Sequence, residues 1–170
     1  MRTGSWTPVT AFFSGRDRER KLEIMKDSRV GSNGVVGFVF LTLLKWQLIA
    51  HVNPTILLQL LFFMPIISRY SLVLSIRLFH YARPEGMGKA FAVYSPKQTL
   101  LWTTLITLLP AIYFHWLYAI FLGLGILINL VLNSYISKHL GGVTGDTYGF
   151  VIESSELILV LAAVAVGITL

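Results

Sequence analysis

Long apolar runs separated by short polar stretches set the pattern of this chain. One run covers about 34–52 and a second about 54–79, joined tightly through His51, Val52, Asn53 and Pro54. A third covers about 98–113 and a fourth about 116–136, with Phe114 and His115 at the join, and a fifth reaches from about 148 to 170. A helix needs about 20 residues, at ~1.5 Å each, to cross a hydrocarbon core of roughly 30 Å. The second run is long enough to tilt or to project beyond the bilayer. The pattern predicts an all-α, polytopic transmembrane bundle of about five spans over residues 34–170, with two tight hairpins. Ahead of it, residues 1–33 form a polar segment. Ser14 to Met25 reads there as a short surface helix, started by Ser14 and Asp17 and supported by Asp17 four positions before Lys21.

Composition agrees with the runs. The chain is 55% hydrophobic and 13% charged, with a mean hydropathy of +0.70, whereas soluble domains carry about a quarter charged residues. A water-soluble globule is therefore excluded. Absence of cysteine excludes disulfides, thiolate metal sites and cysteine nucleophiles. The first thirty residues carry charge throughout and show no removable signal peptide. With no internal repeat, a transporter built from inverted halves is disfavoured.

The formal charge of +6 gains meaning from its distribution. Arg16, Arg18, Arg20, Lys21, Lys26 and Arg29 precede the first run, Arg77, Arg83, Lys89 and Lys97 lie around the second polar stretch, and Lys138 precedes the last run. Both hairpin tips lack Lys and Arg. Basic residues are retained on the cytoplasmic side, so the N-terminus and the three polar segments are expected inside and the C-terminus outside. The same argument makes the charge a membrane anchor and not a nucleic-acid surface.

Three polar segments hold the residue types that do chemistry. In the first, Lys26 and Arg29 suit a phosphate, Asp27 suits a metal or a hold on Arg29, and Gly31 and Gly34 suit backbone contacts to an anion. A solvated basic anchor explains the same residues. In the second, Pro84, Gly86 and Gly88 break the helix between Arg83 and Lys89, two phosphate clamps or an ordinary basic loop. Its glycines fit neither GxGxxG nor a Walker loop. The third, Gly141-Gly-Val-Thr-Gly-Asp146-Thr-Tyr-Gly149, runs into a span carrying Glu153 and Glu156. A helix starting near Asp146 puts all three carboxylates on one side, a row suited to a hard cation such as Mg²⁺ with substrate phosphates. The alternative is interhelical pairing with Lys45 or Arg69, because a lone charge inside a bilayer costs a few kcal/mol. His51, His80, His115 and His139 make no ligand spacing such as HExxH and read as interfacial.

FFSGRDRERKLEIMKDSRVGSNG at Phe12–Gly34, ARPEGMGKAF at Ala82–Phe91 and GGVTGDTYGFVIESSE at Gly141–Glu156, in this order, resemble the cobalamin (5'-phosphate) synthase family, the adenosylcobinamide-GDP ribazoletransferases. The resemblance runs from Ala11 to the C-terminus. It implies a Mg²⁺-dependent, multi-pass inner-membrane enzyme that joins adenosylcobinamide-GDP to α-ribazole or its 5'-phosphate and releases GMP. By the same resemblance, Asp27, Asp146, Glu153 and Glu156 are candidate catalytic residues, the last three as metal ligands. Arg29, Arg83 and Lys89 are then the candidate phosphate contacts. One departure stands at the front. The family's aspartate-rich motif, D-G-x-x-D-x-x-D, aligns with Thr3, Thr7 and Thr10 here. That implies a truncated or frameshifted product, and it opens a second reading as an inactive fragment or a non-catalytic scaffold for other corrin-pathway enzymes, with a second copy of the chain also open as a partner. A small transporter using Arg69 and the intramembrane acids ranks last, because it leaves the GGVTGD loop unexplained.

Overall fold

The computed structural model describes Asp17, Leu22 and residues 32–84 and 87–169. Five helices follow one another among these residues: α1 (Ser32–Ala50), α2 (Pro54–Leu78), α3 (Met87–Tyr94), α4 (Thr99–Leu140) and α5 (Gly145–Thr169). Three stretches are long and apolar enough to cross a membrane, Pro54–Leu78, Trp116–Leu140 and Gly145–Gly167, and Val35–Ala50 and Thr99–Phe114 are shorter apolar helices. The protein is a membrane helical bundle.

Helix boundaries follow from caps. Asn53 opens α2 by accepting a hydrogen bond from the Thr55 amide at 2.9 Å, with Pro54 at the first helical position, where its missing N–H costs nothing. Gly141, at φ 71°, closes α4 in the left-handed conformation, and its amide returns to the Ser137 carbonyl. Thr144 and Thr147 open α5 reciprocally: the Thr144 amide donates to Thr147 Oγ1 at 2.8 Å and the Thr147 amide to Thr144 Oγ1 at 3.3 Å. This is a capping box with threonine in place of the usual acid. Helix therefore begins at Gly145, three residues ahead of the expected Tyr148.

Helical assignment runs unbroken through the 42 residues of α4, where the sequence predicts two spans with a turn at Phe114 and His115. Side-chain contacts show that the chain reverses there. Tyr70 meets the Thr104 hydroxyl at 2.9 Å, while the next residue, Ser71, accepts through its carbonyl from Asn129 Nδ2 at 2.7 Å. Along a straight helix Thr104 and Asn129 would stand about 37 Å apart. The Tyr118 hydroxyl also donates to the Thr107 carbonyl, a separation of about 16 Å in a straight helix and beyond one side chain's reach. The turn lies between Thr107 and Tyr118, so α4 contributes two antiparallel limbs.

α2 is the centre of the bundle, packed on both α4 and α5, with α4 on α5, α1 on α5, and α3 on α2 and α5. Phe63 is its buried pivot, with ring centroids 4.8 Å from Phe114, 4.9 Å from Tyr118 and 6.2 Å from Phe121. Gly125 lets α4 approach α2, because a Cβ there would stand 2.2 Å from Ile67 Cγ2. Outward faces stay apolar, as at Phe38, Phe40 and Trp46 of α1 and Trp102 and Ile112 of α4. Alternating helix directions gather residues 79–98 and 141–144 at one end, the loop end, and residues 51–53 with the α4 turn at the other.

Candidate functional site

Two of the three polar segments meet at the loop end. The Ala82 amide donates to the Val143 carbonyl at 2.8 Å, and the Val143 amide to the His80 carbonyl at 2.8 Å, a single parallel bridge between Tyr81 and Val143. Gly142 makes this closeness possible. Its φ is +147°, and a Cβ there would lie 2.4 Å from the His80 carbonyl oxygen, so no other residue fits without moving backbone.

The bridge delivers Arg83 to Asp146. Arg83 Nη2 donates to Asp146 Oδ2 at 2.7 Å, with the two side chains 12% and 36% exposed. Asp146 sits in the first turn of α5, where the helix dipole favours a negative charge. Arg83 Nε is buried and has no protein partner. Lys89 enters from α3, is exposed, and donates to the Pro84 carbonyl. Gly88 brings α3 against the Tyr81 ring, where a Cβ would stand 2.7 Å from Cε2. Beside these groups opens a cleft of about 540 Å³, lined by Phe79, His80, Tyr81, Arg83, Lys89 and Val93 among others.

The remaining acids lie deeper and meet different partners. Glu153 and Glu156 follow Asp146 on the same side of α5, but seven residues of helix put Glu153 about 10 Å further along the axis. Lys45 Nζ of α1 donates to Glu153 Oε2 at 2.6 Å and to Glu156 Oε2 at 2.9 Å. Arg69 Nη1 and Ser68 Oγ of α2 donate to Glu156 Oε1 at 2.8 and 2.9 Å. One carboxylate thus joins three helices. Among the described residues no three His, Cys, Asp or Glu side chains are placed to hold one metal ion.

The structure brings Arg83, Lys89 and Asp146 together and sets Glu153 and Glu156 apart from them. Asp27 and Arg29 lie outside the described residues. Lys45 and Arg69 are the partners that the pairing alternative names for the intramembrane acids. Sequence reasoning missed Ser68, whose signal was its place beside Arg69, and missed His80 and Phe79 as cleft walls, although both adjoin the Ala82–Phe91 motif. It also read Met87–Tyr94 as turn-rich loop, where a helix forms.

Comparison with known proteins places these features in a family. A family profile described as Cobalamin-5-phosphate synthase matches residues 9–164. A relative named adenosylcobinamide-GDP ribazoletransferase from Thermoanaerobacter sp. (strain X514) is 35% identical over 160 residues, covering 92% of this chain and 64% of the relative. One of the same name from Caldanaerobacter subterraneus subsp. tengcongensis is 36% identical, covering 86% and 60%. Another, from Alkaliphilus oremlandii (strain OhILAs), is 38% identical, covering 89% and 61%. The chain spans less than two thirds of the length of these relatives. No solved structure matches. Its helices, its bridged loops and these similarities together identify the chain as belonging to the cobalamin-5-phosphate synthase family.

Proposed function

We propose that the loop end is the phosphoryl-transfer site of an adenosylcobinamide-GDP ribazoletransferase, joining the activated cobinamide to α-ribazole or its 5'-phosphate with release of GMP. In that reaction a ribazole hydroxyl oxygen bonds to the phosphorus that carries cobinamide, the P–O bond to GMP breaks, and the hydroxyl proton is lost. Negative charge grows on the phosphoryl and leaving oxygens, and fixed cations at a membrane mouth lower the energy of that state. The observation that carries the reading is the Arg83–Asp146 pair held across the bridged loops. Asp146 keeps the guanidinium aimed at the mouth, and Arg83 and Lys89 supply the charge.

The loop end faces the cytoplasm in this reading, because Arg77, Arg83, Lys89, Lys97 and Lys138 gather there while the opposite end holds none among its turn residues. The membrane is then the cell's inner membrane. Magnesium belongs to the proposal as an activity requirement. The described residues do not compose an ion site on their own: Asp146 is paired with Arg83, and Glu153 and Glu156 are drawn to Lys45 and Arg69.

Purified protein in detergent, supplied with adenosylcobinamide-GDP, α-ribazole and Mg²⁺, is expected to form cobalamin and GMP, and to stop when EDTA removes the ion. Folded protein that binds neither substrate and forms no product contradicts the proposal.

A further inference from the structure

The cleft between the end of α2 and the face of α3 has a composition that selects one kind of substrate. Its volume, about 540 Å³, falls in the range of roughly 300–1,000 Å³ that encloses a drug-sized ligand. A nucleotide fits, and a whole corrin nucleotide does not. Two partners in the proposed reaction present a nucleotide-sized piece: the guanylate end of the activated cobinamide, and ribazole phosphate. They differ in the base. Guanine carries a polar edge with donors at N1 and N2 and an acceptor at O6. The dimethylbenzimidazole of ribazole carries two methyl groups and no N–H.

The walls decide between them. Ile76, Phe79, Ala92 and Val93 are apolar, and among the described residues the lining holds no carboxylate and no carboxamide. Backbone acceptors nearby are already engaged: the His80 carbonyl accepts from Val143 and the Pro84 carbonyl from Lys89. A guanine edge placed here would exchange water for few acceptors, and each unsatisfied donor is costly. A methylated benzimidazole would instead gain by removing apolar surface from water. The cations lie at one side of this apolar wall. Arg83 offers a buried Nε–H with no protein partner, and exposed Lys89 can turn from the Pro84 carbonyl to an anion. Charge-assisted bonds from such groups suit a phosphate.

We propose that this cleft is the subsite for a nucleoside monophosphate with an apolar, hydrogen-bond-poor base, which makes α-ribazole 5'-phosphate, and not unphosphorylated α-ribazole, the preferred acceptor. The assignment rests on the ribazoletransferase reading for the identity of the ligand, and on the cleft for its place and its phosphorylation state. Guanylate binds elsewhere.

The test is titration calorimetry of the purified chain in lipid nanodiscs against α-ribazole 5'-phosphate, α-ribazole and GMP, each without a second substrate. α-Ribazole 5'-phosphate is expected to bind at least tenfold more tightly than either of the others, tenfold corresponding to about 1.4 kcal/mol. Val93→Asp, on the exposed face of α3, is expected to weaken it severalfold while leaving the thermal transition in place. Equal affinity with and without the phosphate overturns the inference, as does GMP binding as tightly, undiminished affinity in Val93→Asp, or no binding by any of the three. Cobalamin formation, measured separately, keeps the two claims apart. Product formed without the stated preference sinks the subsite alone, and the preference without product sinks the transferase reading alone.

Discussion

The mouth and the middle of the bundle use the same chemical device in two environments. At the mouth Asp146 pairs with Arg83 at 2.7 Å. About 10 Å deeper along α5, Glu153 and Glu156 pair with Lys45 and Arg69 at 2.6 to 2.9 Å. Near water a carboxylate can exchange its partner, so an arginine bound to Asp146 remains available to an incoming phosphate. Inside a span each unpaired charge costs a few kcal/mol, so Glu156, accepting from Lys45, Ser68 and Arg69 at once, cannot release any of them cheaply. The mouth pair is an exchangeable contact, and the deep cluster is a joint that docks α1 and α2 on α5. Arg69 extends this contrast, because its side chain is 61% exposed although it lies within a span. Glu156 is then what keeps its charge compensated.

The largest effect that separates the regions is expected from Glu156→Leu. It leaves Lys45 with one partner and Arg69 with none among the carboxylates, and breaking a buried pair by removing one member costs about 3–5 kcal/mol. A thermal melt in detergent should drop sharply, with loss of folded yield; a melt unchanged within error breaks the comparison on its structural side. Next comes Arg83→Ala, which should lower the transfer rate by on the order of 10²-fold, the scale of removing one preorganised donor, with the thermal transition nearly in place. A large loss of stability instead would make Arg83 a second structural joint. Gly142→Ala is expected to cost about 1–3 kcal/mol through its strained backbone and to separate the loops. Its signature is loss of phosphate-ligand affinity with α1 still protected in hydrogen exchange. The smallest effect is expected from Lys89→Met, a severalfold weaker affinity for a phosphate ligand and no change in the melt, because the side chain is exposed and bonds only the Pro84 carbonyl.

The spans and both hairpins were legible in the sequence, since run length alone decides whether a helix can cross a bilayer. Even the α4 turn, which continuous helical hydrogen bonding conceals, was visible as Phe114 and His115 between two apolar runs. The polar segments were legible as residue types, and the clustering of Arg83, Lys89 and Asp146 follows their positions at one end of alternating helices. What sequence spacing could not carry was depth. A 3.6-residue period puts Asp146, Glu153 and Glu156 on one face, but the rise of 1.5 Å per residue separates the first from the others, and the choice of partner depends on where α1 crosses α5. Helix α3 escaped for a related reason. Pro84, Gly86 and Gly88 read locally as breakers, while the helix is supported by tertiary contacts, Gly88 against the Tyr81 ring and Ala92 in the cluster around Val143 and Tyr148.

The central claim is that phosphate is handled at the mouth and not by the deep acids. Binding of α-ribazole 5'-phosphate to the Arg83→Ala and Glu153→Gln proteins, measured side by side by calorimetry, tests it most directly. Affinity should fall about tenfold or more for Arg83→Ala, a change of about 1.4 kcal/mol, and stay within twofold for Glu153→Gln. The opposite order, with Glu153→Gln losing the ligand and Arg83→Ala keeping it, would contradict the account.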